Sequence, residues 1–314
     1  MRRYLSMTLA ALIVGVGVTW WQSPSVFSGE GKKAELKRLL MVTDSGGFIH
    51  DSVGEAEKIM SELAPQNGFT FTCWRFTRDP DVKVKYKQKI NGKDVELETT
   101  ALERYSEQFR SRTGLPVGRE NIGRINAQTL KNFDVVLFFT TGNPLTKDEL
   151  NDLIAWVRAG GAFAGTHCAT DTLYNTPYGE LVGAFFDGHP WHQKIKIKLE
   201  DPAHPGANGF SDGAEITDEI YQFRPAPYSR EKLHIIMSVD NSSIDTSKGK
   251  RKDQDYAIAW CQEFGKGRSF YTSLGHRKEV WRDPRFQQSL FGGLKWAVGL
   301  LPGDATPSAK LNQK

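Results

Sequence analysis

From residue 36 onward, short runs of consecutive apolar residues alternate with longer stretches in which apolar positions recur every three to four residues. A continuous apolar run suits a strand covered on both faces, and the helical period suits an element that lays one face on such a sheet. The order predicts an α/β fold with a mostly parallel central sheet and helices on both faces. Runs over residues 38–43, 69–76, 134–140 and 162–166 predict strands. The clearest helix covers residues 146–159: Thr146 can cap it, Glu149 stands three residues on as in a capping box, and Leu150, Leu153, Ile154 and Val157 form its apolar face. Gly160 and Gly161 end it. Residues 194–199, 234–239, 256–264 and 268–274 also read as strands, the last two joined as a hairpin through Gly265, Lys266 and Gly267. A last helix is expected over 284–298, followed by a frayed tail over 301–314.

One segment breaks this rhythm. Between residues 83 and 97, lysines alternate with apolar and polar partners on both sides of Asn91-Gly92, a strong hairpin signal. A lysine-faced hairpin and a helix over 102–110 are expected inside a lysine-rich insertion at about residues 78–126. The basic face reads as a solvated edge protected against strand pairing, with contact to an acidic partner as the other reading.

Composition narrows the classes. With 39% hydrophobic residues, among them 18 Phe, 9 Tyr and 8 Trp, the 314-residue chain can fill a sizeable core, which excludes a disordered or collagenous protein. The net charge of +4 includes Arg2 and Arg3, and so mild a surplus gives no ground for a nucleic-acid partner. Residues 1–28 read as an export signal: two arginines, an uncharged run over 7–21, then a polar stretch with cleavage expected after Ser28. That run is shorter than the roughly 20 residues a spanning helix needs, so a periplasmic or extracellular protein without a stable membrane span is expected, with an uncleaved membrane anchor as the other reading. Cys73, Cys168 and Cys261 are odd in number and lie in or beside apolar runs, so they read as small buried side chains.

Candidate chemistry appears when the seven histidines are placed on this pattern. His50 follows the first strand, His167 follows the 162–166 strand in the small-residue turn Gly165-Thr166-His167-Cys168-Ala169-Thr170, and His276 follows the last strand. In open α/β sheets ligands sit outside the carboxyl ends of the strands, so these three should line one pocket as the catalytic candidates. His189 and His192, in Gly188-His189-Pro190-Trp191-His192, can add metal ligands or hydroxyl partners, although Pro190 and Trp191 could equally form a structural plug. Asp218-Glu219-Ile220-Tyr221 offers carboxylates and a phenol. His204 and His234 read as structural.

The runs Gly47-Phe48-Ile49-His50-Asp51-Ser52, Gly165-Thr166-His167-Cys168-Ala169-Thr170-Asp171, Gly188-His189-Pro190, Asp218-Glu219-Ile220-Tyr221, Gly267 through His276, and Trp281-Arg282-Asp283-Pro284 together resemble the ThuA-like (trehalose utilisation) family over about residues 36–300. The resemblance implies the flavodoxin-like fold of the class I glutamine amidotransferase superfamily, usually without amidotransferase activity. It also implies bacterial sugar metabolism involving 3-keto forms of disaccharides. The insertion at 78–126 departs from the family's compact pattern. Amidotransferases of that superfamily carry a cysteine at a Gly-x-Cys-x-Gly elbow, whereas here His167 occupies that point and Cys168 comes one place late. A one-residue shift on a tight turn redirects the side chain, so glutamine hydrolysis is not expected.

Two functions of different class remain. In one, an exported enzyme acts on a sugar derivative, with His167, His276 and His50 moving protons or with His50, His167, His189 and His276 as candidate ligands of a divalent metal, zinc being the default for imidazoles. His189, His192, Trp191, Asp171, Glu219 and Tyr221 would then bind substrate, with Asp171 or Glu219 orienting a histidine. In the other, the chain is a non-catalytic carbohydrate-binding module with Trp191 and Tyr221 as stacking faces.

Overall fold

The computed structural model describes residues 35–311; the expected export signal lies outside them. The first half supplies β1 (Lys37–Val42), α1 (Val53–Leu63) and β2 (Phe69–Trp74), then β3 (Lys83–Ile90), β4 (Lys93–Thr100) and α2 (Ala101–Thr113), then β5 (Val135–Phe138), α3 (Lys147–Arg158) and β6 (Ala162–Thr166). The second half runs α4 (Tyr178–Val182), β7 (Trp191–Leu199), β8 (Glu215–Ile220), β9 (His234–Val239), β10 (Ala257–Phe264), β11 (Gly267–Thr272), α5 (Lys278–Arg282), α6 (Pro284–Ala297) and α7 (Ser308–Leu311).

The main sheet has the order β2-β1-β5-β6-β11-β10-β9-β7-β8. Its first five strands are mutually parallel, and β10, β9, β7 and β8 extend it antiparallel. Alternate side chains of the parallel strands enter two cores: Leu39, Met41, Val135 and Leu137 face α1, α2 and α6, while Leu40, Val42, Val136 and Phe138 face α3 and α4. The apolar runs are continuous because both faces are covered. Each such side chain removed from water stabilises the fold by about 1.5–3 kcal/mol.

Local chemistry fixes the element ends. Thr146 and Glu149 close the capping box of α3, and Thr100 and Glu103 form a second one on α2, which ends at Gly114 in the left-handed region. Asn91 and Gly92 take φ values of 50° and 78°, the two positive angles of a tight hairpin turn joining β3 to β4. β8 was not evident from the sequence, because only Ile216 and Ile220 of its six residues are apolar; pairing with β7 and burial of Asp218 and Glu219 make it a strand. In place of the frayed tail expected from composition, residues 301–311 are pinned to the sheet. Ser308 N–H donates to the Leu233 carbonyl, Ile235 N–H donates to Ser308 Oγ, and Trp296 Nε1 donates to the Gly303 carbonyl. Among the described residues no helix is long and apolar enough to cross a membrane.

The helix α6 carries two glycines mid-length, each costing about 1 kcal/mol of helix propensity against alanine. Packing explains them: a β-carbon on Gly292 would lie 1.9 Å from the Pro205 carbonyl oxygen, and one on Gly293 would lie 2.3 Å from the Phe270 ring. Gly292→Ala is therefore expected to lower unfolding stability by about 2 kcal/mol or more, since backbone cannot yield as a flexible side chain does. Denaturant unfolding checks this, and an unchanged midpoint would refute the close approach.

Candidate functional site

Two chain reversals bring the site together at the carboxyl ends of the parallel strands. Directly after β6, His167 adopts φ 45°, a left-handed conformation that costs a residue with a β-carbon about 1–2 kcal/mol. The elbow is held by Tyr271, whose hydroxyl donates to the His167 carbonyl at 2.6 Å, and by Thr166 Oγ1, which donates to the Leu274 carbonyl at 2.9 Å. His167 Nδ1 lies 2.9 Å from the Ser273 carbonyl oxygen. A carbonyl only accepts, so Nδ1 carries a proton and, in the neutral ring, the Nε2 lone pair faces the site.

The second reversal follows β11. Gly275, at φ 124°, turns the chain, and the buried carboxylate of Asp218 accepts the N–H groups of Gly275 at 2.8 Å and Arg277 at 3.1 Å. Trp281 Nε1 and Ser52 Oγ both donate to the Gly275 carbonyl. These bonds fix His276, which lies between two of the clamped amides.

Around His167 Nε2 stand the Tyr221 hydroxyl at 3.0 Å, His276 Nδ1 at 3.3 Å and Glu219 Oε2 at 3.5 Å. His276 Nδ1 is also 3.2 Å from Glu219 Oε2. The His50 ring meets those of His167 and His276 edge-on, with centroids 4.8 and 5.2 Å apart. Burial pushes the Glu219 carboxyl upward, but the adjoining His167 and His276 imidazoles outweigh it and hold the group well below the usual carboxylate range. For His276 burial acts downward, yet the Glu219 carboxylate raises it overall. Burial, assisted by the two neighbouring imidazoles, lowers His50 to about 2, so that ring is neutral. Burial pushes the Tyr221 phenol well above its ordinary value, keeping it a donor.

This set fits a divalent cation. One donor atom from each of His50, His167, Glu219 and His276 lies within 4.8 Å of all the others, and His50 Nδ1 is buried without a hydrogen-bond partner. Donors on a tetrahedral zinc ion stand roughly 3.3 Å apart, given bonds of about 2.0–2.1 Å, so a modest inward movement suffices. Imidazoles, one carboxylate and a buried nitrogen without a partner are groups that such an ion would use.

The other expected residues divide. His189 lies half-exposed at the rim, with Nδ1 3.5 Å from Glu219 Oε1, outside the four-residue donor set. His192, opposite Glu219 in the β7–β8 register, is exposed beside His276 and accepts from Arg277 Nε at 3.3 Å. Trp191 cannot stack on a sugar: it is 1% exposed, its Nε1 donates to the Asp245 carbonyl, and it packs on Tyr256. Its place follows from the strand period, since Trp191, Ile195 and Ile197 share the core face of β7. Asp171 accepts from the Tyr174 hydroxyl at 2.7 Å and makes no hydrogen bond to an imidazole, so Glu219 is the carboxylate that meets His167 and His276. His204 is fully buried with Nδ1 accepting from Gly206 N–H, and His234 sits between the Thr306 carbonyl and Asp201. Asp218 is the positioning residue that the sequence left unmarked within its acidic run.

Residues 38–297 match the model of the family described as trehalose utilisation, ThuA. The chain belongs to the ThuA family. Two solved ThuA-like proteins share its fold: one from Bacteroides uniformis ATCC 8492, with a TM-score of 0.57 and 18% identity over 94% of this chain and 100% of that one. The other, from Parabacteroides merdae ATCC 43184, has a TM-score of 0.57 and 12% identity over 87% and 95%. Comparison with curated proteins finds no match. In this ThuA-family chain the thiol of Cys168 is wholly buried in the same apolar layer as Leu39, Ala164 and Phe270, and burial pushes it well above its ordinary range.

Glutamine is accordingly expected to release no ammonia in the presence of this ThuA-family protein, with Cys168→Ala indistinguishable from the parent. Ammonia release abolished by Cys168→Ala would relocate the nucleophile. Asp218→Ala is expected to loosen the His276 turn, readable as faster amide exchange at Gly275 and Arg277, because both N–H groups lose a buried acceptor. Unchanged exchange would show that Trp281 and Ser52 suffice.

Proposed function

We propose that this ThuA-family protein is an exported enzyme of carbohydrate metabolism that processes a 3-keto or related sugar derivative at a divalent-metal site formed by His50, His167, Glu219 and His276. The observation that carries the reading is the convergence of three imidazoles and a carboxylate, in which His50 Nδ1 is buried without a hydrogen-bond partner. Family membership supports the carbohydrate class, and the order of Arg2 and Arg3, apolar run and polar stretch in residues 1–28 supports export.

A bound divalent ion such as zinc would supply Lewis-acid polarisation of a substrate oxygen. The protein's own groups do the rest. The Ser273 carbonyl fixes the His167 tautomer and so aims its Nε2. Glu219 contributes the negative charge of the set, and His189, at its second oxygen and half-exposed, stands where a proton can pass between substrate and solvent. Tyr221, whose acceptor is His167 Nε2, would be released to donate its hydroxyl to a substrate oxygen once that nitrogen is engaged.

Elemental analysis of the purified protein is expected to give about one divalent ion per chain. His50→Ala and Glu219→Ala are each expected to reduce that content and to lower turnover of a 3-keto glycoside by about 10² or more. Metal-free parent protein with full turnover would reject the metal site; sugar binding without turnover in the metal-loaded parent would instead identify a binding module. N-terminal sequencing of the exported form is expected to begin near Gly29, and an intact chain recovered only from the cytosol would reject export.

A further inference from the structure

The insertion creates a second feature, which the reaction centre does not use. A cleft of about 660 Å³ lies between the β3–β4 hairpin, α2 and the loop after β1, a volume in the range of small-molecule sites. It adjoins the reaction centre through Phe48, which is on its wall, 55% exposed, and whose ring meets that of His50 edge-on with centroids 5.0 Å apart.

Four cations line the cleft, Arg78, Lys85, Arg104 and Arg112, and among the described residues no aspartate or glutamate does. Three of them are arginines laid on aromatic rings: Arg78 on Phe76 at 4.7 Å, Arg104 on Tyr86 at 4.1 Å and Arg112 on Phe48 at 4.5 Å. Stacking holds a guanidinium plane while leaving its edge free to donate. Arg78 is further fixed by the wholly buried carboxylate of Asp44, through Nε and Nη2 at 3.1 and 2.9 Å. Arg104 gives Nη1 to Glu107. Arg112 gives only Nε, to the Ile49 carbonyl at 3.0 Å, and among the described residues neither of its Nη atoms has a partner and no carboxylate pairs with it. Pre-positioned forks beside the exposed Phe48 and the half-buried Tyr86 match a ring that carries an oxyanion.

We infer that this cleft binds an anionic sugar unit, one bearing a carboxylate or a sulfate ester, while the reacting carbon lies at the histidine cluster. The inference rests on reading that cluster as the reaction centre, and it makes the substrate an acidic glycoside. Arg112 is the donor fork, Arg78 and Arg104 supply the field, and Phe48 and Tyr86 supply the stacking faces.

Titration calorimetry on the whole exported protein at low salt tests this with cellobiose, cellobiouronic acid and cellobiose 6-sulfate. An acidic disaccharide is expected to bind about tenfold or more tightly than cellobiose, with the better of the two naming the anion. Arg112→Ala is expected to lose about that factor for the acidic probe alone, and Arg112→Lys to recover only part of it, since a point charge lacks the fork. Equal affinity for neutral and acidic probes, or an unchanged acidic affinity in Arg112→Ala, would overturn the inference. Glu219→Ala separates the two readings. Acidic-probe binding retained there supports the cleft whatever happens to the metal, and binding lost there together with full binding by Arg112→Ala would place the anion at the histidine cluster.

Discussion

A single buried carboxylate governs the geometry of the site. Asp218 lies on β8, the edge strand of the antiparallel half, yet it accepts two backbone N–H groups from the turn after β11 in the parallel half. Burial alone would drive its proton affinity up, as it does here, and the opposing contributions come from His167, the N–H groups of Gly275 and Glu219, and His276. An aspartate with no solvent access is tolerated because its oxygens are satisfied. Without that clamp, nothing in the local sequence of Leu274-Gly275-His276 would direct an imidazole towards His167.

The site is consequently shared between two kinds of sheet. The parallel half delivers His50, His167 and His276 at strand ends, where the backbone is free to turn outward. The antiparallel half delivers Glu219 and Tyr221 from β8 and the residue beyond it, and His192 from β7 directly opposite Glu219. A carboxylate among three imidazoles changes what the histidines can do. It favours the charged form of His276 and leaves His50 neutral, so rings of one residue type differ in role by surroundings alone. The elbow has the same logic: the left-handed His167 belongs to the site, and Cys168 turns into the apolar layer with Leu39 and Phe270.

The insertion extends this centre outward. Its hairpin forms from an Asn-Gly turn and its helix from a capping box, both local devices that need no partner. Lys85 meets Glu96 across the hairpin with both side chains exposed. The arginines and aromatics that follow and precede it, by contrast, organise a concave wall against Phe48 and Arg112. Loops of this kind diversify binding while the sheet beneath them stays constant.

What the sequence determined by itself was everything with a short period or a local cap. The strand runs, the 146–159 helix and the Asn91-Gly92 turn were legible because apolar spacing and turn chemistry act over a few residues. The three strand-end histidines were legible because the α/β topology sends such ends to one edge. The period of two through Trp191, His192, Lys194, Ile195, Lys196 and Ile197 also carried the information that Trp191 faces the core, although a tryptophan beside two histidines invited the opposite reading. Tertiary structure alone decided the choice between Asp171 and Glu219, the role of Asp218 and the pinning of residues 301–311. Those outcomes depend on contacts between groups more than fifty positions apart, as between Asp218 and Gly275, and on the desolvation that follows. A carboxylate's neighbours at that separation are set by which edges meet in the sheet, and no local pattern of residues encodes that.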